Sequence, residues 1–172
     1  METRKVLAKS FNKLGFKTGA EIGVRSGYYS KVLLRNIKNL HLICVDPWLA
    51  YESIEPVTQK ESEAALKKCQ KRLEGYDVRY MRMTSMEAIE LIPDESLDFV
   101  YIDAIQDFDH IMVNIIHWAP KVRVNGIVSG RNYFPYFRNG VMHAVDAYTY
   151  AHNINWLITT DEKYPTYYWR KK

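Results

Sequence analysis

The stretch GAEIGVRSG at residues 19–27 decides the fold class predicted for this chain. An apolar run containing one acid, Glu21, ends in a turn with two glycines, Gly23 and Gly27. Glycines in a turn between a strand and a helix let the backbone approach a ligand that a Cβ atom would exclude. Taken alone, the same turn can also serve only to connect the two elements.

Short apolar runs alternate with helical patterns along the rest of the chain. Runs at 17–24, 40–48, 77–83, 97–104 and 126–130 predict strands, and the segments 1–14, 26–37, 61–76, 85–92 and 108–122 predict helices. The strand runs are apolar on both sides, which is typical of a parallel sheet covered by helices on both faces. In the helix over 108–122, the residues expected to face the core are Phe108, Ile111, Met112, Ile115 and Ile116.

The end of the chain has a different pattern. A helix over 140–151 precedes two further strand runs at 155–160 and 166–171, joined by the short turn KYP. A hairpin of this kind makes the last strand antiparallel to its neighbours. The sequence therefore predicts one α/β domain over 1–172, with a mostly parallel seven-stranded sheet and an antiparallel last strand. The long irregular stretch 49–59 is a candidate lid or substrate loop.

The composition limits the function classes. A chain of 172 residues builds one domain with a substantial core, and its net charge of +4 comes without a long basic run, which does not favour a nucleic-acid partner. Two cysteines, Cys44 and Cys69, make neither a disulfide framework nor a metal cluster. No run approaches the roughly 20 apolar residues of a membrane helix. We expect a cytoplasmic protein without a membrane partner.

Asp46 follows the second predicted strand, roughly 20 residues beyond the glycine turn. An acid in that position can accept hydrogen bonds from both hydroxyl groups of a ribose. The spacing of Gly23 and Gly27 is not that of a dinucleotide-binding loop, so a single nucleoside is the better match. A plain helix N-cap is the alternative for Asp46.

Five segments carry a family resemblance. They are EIGVRSGYYS (21–30), VDPW (45–48), YIDAIQDF (101–108), NGIVSGRNY (125–133) and GVMHAVDAY (140–148). In this order they resemble the class I S-adenosylmethionine-dependent methyltransferases, and within them the group that methylates oxygen atoms of sugars and other small molecules. The resemblance covers 19–148 and implies a Rossmann-like three-layer sandwich with S-adenosylmethionine as the cofactor.

The resemblance also implies roles for residues around the first, second and fourth strands. Glu21 and the backbone around Gly23 and Gly27 would face the methionine part of the cofactor. Asp46 would bind the ribose, and Asp103 would face the site of methyl transfer.

Five further residues would contact the adenine ring if the resemblance holds. Pro47 and Trp48 follow the second strand and would lie beside the ring. Thr84, Ser85 and Met86 follow the third strand, at the position from which proteins of this group contact adenine.

The chain departs from the family pattern after the fourth and fifth strands. The histidine that the group carries after the fourth strand is Gln106 here, and its His-Asp-Tyr is Arg131, Asn132 and Tyr133. Related metal-dependent enzymes hold a divalent cation with an Asp at the fourth strand and Asp-Asn after the fifth. Because Arg131 replaces one of those carboxylates, its charge would repel the cation, and we predict a metal-independent enzyme.

Two interpretations of Arg131 stay open. It could replace the charge of the metal and bind an anionic substrate or lower the pKa of a hydroxyl group, or it could pair with Asp103 and silence the site. His110 could act as a displaced general base, or it could be an ordinary exposed histidine, and His143 could line the pocket. The catalytic candidates are Asp103, His110, Arg131 and Asn132.

Aromatic residues follow the fifth predicted strand in the segment NYFPYF, residues 132–137. They could stack on a planar or sugar substrate, or they could form an apolar plug under the last helix. The overall prediction is a methyltransferase that acts on an oxygen of a small molecule or sugar, and a homodimer is compatible with it. The alternatives are a protein of the same fold that binds the cofactor without turnover, and an RNA methyltransferase.

Overall fold

Strands and helices alternate along the chain as the apolar runs predict. The computed structural model describes residues 3–52, 56–160 and 163–172. The strands are β1 (Thr18–Ile22), β2 (His41–Val45), β3 (Val78–Met81), β4 (Leu97–Ile102), β5 (Val122–Gly130), β6 (Leu157–Ile158) and β7 (Tyr167–Arg170). The α-helices are α1 (Arg4–Lys13), α2 (Tyr28–Asn36), α3 (Gln59–Arg72), α4 (Ser85–Ile89), α5 (Phe108–Trp118) and α6 (Gly140–Ala151).

The strands form one sheet in the order β3-β2-β1-β4-β5-β7-β6. The strands β1 to β5 pair in parallel, whereas β7 is antiparallel to both β5 and β6. This arrangement confirms the predicted seven-stranded sheet with an antiparallel last strand. The strand order reverses between β1 and β4, and ligands of open parallel sheets bind beyond the carboxyl ends of the strands at such a point.

The two faces of the sheet explain why the strand runs are apolar throughout. Ala20 and Ile22 of β1 pack in a cluster with α4, α5 and α6. On the other face, Phe99 and Tyr101 of β4 pack with α1, α2 and α3. The central strands β1, β2 and β4 and the end of β5 are therefore buried on both sides, between two layers of helices, whereas both residues of the edge strand β6 are exposed.

The buried face of α5 differs in part from the prediction. Ile111 and Ile115 are fully buried as expected, but Phe108 is 41% exposed and Ile116 is 45% exposed. Phe108 is the first residue of the helix, and Ile116 lies about 100° further around the axis than its buried neighbour. Trp118 completes the buried stripe instead.

The candidate lid at 49–59 includes residues 53–55, which lie outside the described part of the chain. On either side of that gap, the backbones of Tyr51 and Val57 exchange two hydrogen bonds of 3.1 Å. The hydroxyl of Ser62 in α3 donates to the carbonyl of Leu49 at 2.8 Å. The described parts of this loop are thus held against the start of α3. None of the helices in the described ranges is long and apolar enough to cross a membrane.

Candidate active site

The glycine turn after β1 is shaped by packing within the protein. Gly23 has φ +85°, and a Cβ atom there would overlap the carbonyl oxygen of Asp103, just beyond β4. Gly27 has φ +71°, and a Cβ atom there would come within 2.8 Å of the Cys69 sulfur. Both glycines are required by their neighbours, so the turn has its form before any ligand binds. The turn therefore connects β1 to α2, and this role does not prevent it from binding a ligand as well.

Asp46 joins the two loops that follow β1 and β2. Its carboxylate accepts a hydrogen bond from the backbone N–H of Arg25 at 2.8 Å and another from that of Trp48 at 2.7 Å. Both donors have a left-handed backbone, with φ of 50° and 45°, and that conformation costs roughly 1–2 kcal/mol per residue. The two hydrogen bonds offset this cost. Burial raises the pKa of Asp46, and the two N–H donors oppose the rise.

The N-cap alternative for Asp46 is wrong, because the next helix begins at Gln59 and has Thr58 as its N-cap. Each carboxylate oxygen of Asp46 has a second lone pair beyond the one used by the backbone. The residue can therefore accept from a ribose while it keeps both loops in place.

Glu21 is a buried acid at the end of β1, with 2% of its surface exposed. The hydroxyl of Ser30 donates a hydrogen bond to its carboxylate. Burial raises the pKa of Glu21 to about 8, the charges of Asp103 and Asp46 add to the rise, and the Ser30 hydrogen bond and Arg4 oppose it. Three acids from the ends of β1, β2 and β4 are thus electrostatically coupled, an arrangement that favours a cationic ligand.

The burial of the Trp48 ring disfavours its predicted contact with adenine, which stays a prediction. The residue is only 1% exposed, its indole N–H donates to the carbonyl of Arg25 at 2.8 Å, and its ring centroid lies 6.4 Å from that of Tyr80. The ring fills the core beneath the loops. Pro47 is partly exposed next to it, and its contact with adenine stays a prediction.

The residues after β3 have structural partners of their own. Thr84 caps the first turn of α4 with its side chain. The hydroxyl of Ser85 donates to the amide oxygen of Asn114 and accepts from the indole N–H of Trp118. Met86 is partly buried against the core. Contact of these three residues with a ligand, through Met86 or the backbone, stays a prediction.

Arg131 and Asp103 meet at the ends of β5 and β4. A guanidinium nitrogen of Arg131 lies 3.4 Å from a carboxylate oxygen of Asp103, and the two side chains are 27% and 16% exposed. The guanidinium also lies over the ring of Tyr164, 5.1 Å from its centroid. Burial raises the pKa of Asp103, and Arg131 opposes this rise. The ion pair with Asp103, which is one of the two alternatives for Arg131, is therefore present in the structure.

Three buried polar atoms in the segments after β4 and β5 lack a hydrogen-bond partner among the described residues. The Nε atom of Arg131, the side-chain oxygen of Asn132 and that of Gln106 are buried and have no hydrogen-bond partner among the described residues. Buried polar atoms without partners cost free energy and mark places where a ligand or water completes the structure. Within the described ranges, no group of three or more His, Cys, Asp or Glu side chains is arranged to hold a metal ion. Metal independence stays a prediction.

His110 lies in the first turn of α5, and its side chain is 57% exposed. Its Nδ1 atom is 2.7 Å from the carboxylate of Asp107, the N-cap residue of the same helix. This setting agrees with the exposed-histidine alternative, and a role as general base stays a prediction. His143 is exposed on α6.

The aromatic segment after β5 divides into two parts. Tyr133 donates to the carboxylate of Asp146 at 2.8 Å and packs on Trp156, with ring centroids 4.5 Å apart. It forms a plug under α6. Phe134 turns the other way and packs edge-on against Tyr164 at 5.1 Å. The plug alternative thus applies to Tyr133, and stacking of the other aromatic residues on a substrate stays a prediction.

A cavity of about 310 Å³ opens beside Arg131. Its described lining is Thr3, Arg4, Lys5, Arg131, Lys163 and Tyr164. This cavity was not predicted from the sequence, because its walls come from three distant segments of the chain. The basic pair at the start of α1 was the only local signal for it.

Comparison with known proteins places the fold and the family. The profile of a family described as a methyltransferase domain matches residues 20–133. A search of curated proteins gave no match.

Solved structures share the fold over almost the whole chain. An O-methyltransferase from Bacillus cereus in complex with SAH is 16% identical, with 97% of this chain and 80% of that chain covered and a TM-score of 0.70. The O-methyltransferase TomG from Streptomyces achromogenes, in complex with SAM, is 15% identical, with 98% and 79% covered and a TM-score of 0.69. The SAH-bound methyltransferase PaMTH1 from Podospora anserina is 16% identical, with 100% and 80% covered and a TM-score of 0.69.

These structural likenesses confirm the predicted Rossmann-like three-layer sandwich. The matched residues 20–133 include the carboxyl ends of β1, β2, β4 and β5, where the acids and Arg131 lie. Because the family profile covers more than half of the 172 residues, this chain belongs to the methyltransferase domain family.

Proposed function

We propose that this protein transfers the methyl group of S-adenosylmethionine to an oxygen atom of a small molecule. The observation that supports this most is the set of coupled acids, Glu21, Asp46 and Asp103, at the ends of β1, β2 and β4. S-adenosylmethionine has a cationic sulfonium, an ammonium group and a ribose diol, which are the groups that such acids bind. The SAM and SAH complexes of TomG and the Bacillus cereus enzyme support the same cofactor.

Different residues of the chain suit different chemical groups of this cofactor. Asp46 would accept from the ribose hydroxyls. Glu21 would face the ammonium group, whose charge would lower the pKa of this carboxyl group and favour its ionised form. The first turn of α2 has no side-chain cap, so its N–H groups suit the carboxylate of the methionine part. When bound, the cofactor supplies an activated methyl group.

The remaining task of the protein is to place an acceptor oxygen. Arg131 and Asp103 lie at the adjoining strand ends, and both are largely shielded from water. Holding two reactants in line supplies a large part of the rate in a displacement of this kind. Strong base catalysis by a histidine is then not essential.

Calorimetric titration with S-adenosylmethionine and S-adenosylhomocysteine tests the proposal. We expect both to bind the wild-type protein and both to bind at least about tenfold more weakly to Asp46→Asn, which loses a charged acceptor. The matched control is Asp77→Asn, because Asp77 is 71% exposed and its carboxylate contacts the exposed imidazole of His41. Thermal melting of both variants separates lost binding from lost folding. Absence of binding to the wild-type protein would overturn the proposal.

Methyl transfer to a panel of hydroxylated and carboxylated acceptors then tests turnover. Binding of the cofactor without transfer to any acceptor would favour the alternative of a non-catalytic binding protein. An unchanged rate in the presence of a chelator would support the predicted metal independence. A homodimer and a cytoplasmic location also stay predictions, and light scattering tests the first.

A further inference from the structure

We infer that the outer surface of α1, α2 and α3 binds the sugar–phosphate backbone of a nucleic acid. These three helices form one layer, on the side of the sheet where Phe99 and Tyr101 are buried. The coupled acids lie at the carboxyl edge of the sheet instead, so this inference goes beyond the proposed function and does not depend on it. The absence of a long basic run in the sequence disfavours such a partner, but the fold gathers cations from three separate segments.

The distribution of charge between the two helix layers is the first argument. The helices α1, α2 and α3 contain eleven Lys and Arg residues and two Glu residues. The helices α4, α5 and α6 contain three acids and no Lys or Arg. The net charge of +4 is therefore distributed very unevenly between the two sides of the sheet. A surface with one sign of charge attracts a polymer of the opposite sign.

The absence of ion pairs within the basic layer is the second argument. Glu61 accepts hydrogen bonds from Thr58 in the capping box of α3, and the carboxylate of Glu63 lies 3.6 Å from the guanidinium of Arg82, outside the three helices. Seven cations of the layer are exposed, and their charged groups have no hydrogen bond or ion pair among the described residues: Lys5, Lys9, Lys13, Arg35, Lys67, Lys68 and Lys71.

The spacing of these cations is the third argument. Lys5, Lys9 and Lys13 lie one turn apart on α1, and Lys67 and Lys71 repeat this spacing on α3. Like charges four residues apart destabilise a helix, so helix stability does not explain the pattern. The row on α1 is about 12 Å long at about 1.5 Å per residue, and a nucleic-acid strand carries a phosphate about every 3.4 Å along a duplex. A regular row of cations suits a regular row of phosphates.

Contacts between the helices make the basic surface continuous. The Lys17 ammonium group donates to the carbonyl of Lys38 at 2.7 Å, and the N–H of Lys38 donates to the side chain of Asn12 at 2.9 Å. The cations at the end of α1 and just beyond the end of α2 therefore lie side by side. At the other side of α2, the ammonium group of Lys31 donates to the carbonyl of Arg72, the last residue of α3, at 2.7 Å.

The small amount of exposed apolar surface favours a nucleic acid over a membrane as the partner. A helix that binds a membrane surface places an apolar face into the lipid. Within α1, α2 and α3, the large apolar side chains that are exposed are Val6 and Tyr28, and they belong to different helices. Tyr28 is 70% exposed, and the guanidinium carbon of Arg72 lies 4.2 Å from the centroid of its ring. An exposed aromatic ring among cations suits the stacking of a base.

Fluorescence anisotropy of the full-length protein, without cofactor, tests the inference with labelled single-stranded RNA and labelled duplex DNA of equal length. We expect at least one of them to bind, with a logarithm of the affinity that falls linearly with the logarithm of the salt concentration. Lys9→Gln/Lys13→Gln and Lys67→Gln/Lys71→Gln should each weaken this binding at least about tenfold and lower the salt slope by about one to two, because each pair loses two phosphate contacts.

The matched control is Arg138→Gln/Lys172→Gln, which also removes two exposed cations but from outside the three helices. It should change the affinity by less than about twofold. Thermal melting temperatures of all three variants should stay within about 3 °C of the wild type, because the substituted side chains are exposed. A loss of binding then reports lost contacts rather than lost folding.

Phosphatidylserine vesicles and polyglutamate serve as the competing partners. If either is bound as tightly as the nucleic acids at equal concentration of negative charge, the surface does not prefer a phosphate backbone and the inference fails. It also fails if neither nucleic acid binds at low salt, or if the control variant weakens binding as much as the two lysine-pair variants. Titration with S-adenosylmethionine judges the proposed function separately, because none of the four substituted lysines has a role in the proposed cofactor site.

Discussion

Replacing Glu21 with glutamine tests whether this buried carboxyl group holds a proton in the folded protein. The substitution keeps the size of the side chain and an oxygen that can accept from Ser30, but it removes the titratable group. Glu21 has 2% of its surface exposed, and its pKa rises from 4.5 to about 8, chiefly through burial. The change is therefore nearly isosteric and affects mainly the charge.

The sign of the effect follows from the direction of the shift. Between pH 4.5 and pH 8 the folded state holds a proton on Glu21 that the unfolded state has released. The stability due to the neutral side chain is fully present below pH 4.5, and it is lost as the pH rises through about 8. At about 1.4 kcal/mol per pH unit, the free energy of unfolding of the wild-type protein should fall by about 2.5 kcal/mol relative to Glu21→Gln between pH 5 and pH 7.

Urea denaturation followed by circular dichroism at pH 5, 6 and 7 measures this difference. Glu87→Gln is the matched control, because Glu87 is exposed and its hydrogen bonds with Thr84 lower its pKa. The stability that ionised Glu87 contributes is present above its ordinary pKa and is lost as the pH falls. The pH dependence of this control therefore has the opposite sign. The quantity to follow is the free energy of unfolding of the wild-type protein minus that of Glu21→Gln. If this difference stays constant or rises between pH 5 and pH 7, the reasoning is refuted.

Three further predictions concern the turn, the core and the pair of charges. Gly23→Ala should lower the free energy of unfolding by about 3 kcal/mol, because the methyl group meets the Asp103 carbonyl and the backbone is left-handed. The matched control is Gly75→Ala, where the backbone is also left-handed but the space around it is open. This variant should lower the free energy of unfolding by only about 1 kcal/mol. Equal losses in thermal melts would contradict the packing argument. Trp48→Phe should cost about 1 kcal/mol through its lost hydrogen bond and leave cofactor affinity within about threefold; a large loss of affinity would show that the indole contacts the ligand. Arg131→Gln should abolish methyl transfer yet leave calorimetric cofactor affinity within about threefold, and unchanged transfer would remove Arg131 from the site.

The sheet could be predicted because its signal is local. Strands buried on both faces read as continuous apolar runs, and the hairpin at 155–171 fixes the direction of the last strand. Asp46 and Glu21 could be placed for the same reason, since Asp46 follows one such run and Glu21 lies one residue before the end of another. The carboxyl ends of neighbouring parallel strands meet at one edge of the sheet.

The features that the sequence did not predict depend on contacts between distant segments. The burial of Trp48 follows from the carbonyl of Arg25 in another loop. The basic cavity is formed by residues near 4, 131 and 164, which no local pattern connects. Phe108 is exposed as the first residue of α5, and Ile116 is exposed because it lies about 100° around the axis from Ile115. Apolar spacing shows only which side of α5 is more apolar.

The contact between Gly23 and the backbone of Asp103 has a consequence for how variants of this chain are interpreted. A side chain at position 23 would press on the Asp103 carbonyl and on the Cα atom of Ala104, 2.9 Å from the added Cβ. Loss of activity in such a variant would then report a displaced aspartate rather than a lost contact with the cofactor. Because the loop after β1 contacts the loop after β4 at this point, substitutions at 23 and at 103–104 should be non-additive. A double-mutant cycle across this contact would measure how far donor binding and acceptor placement are separable in this protein.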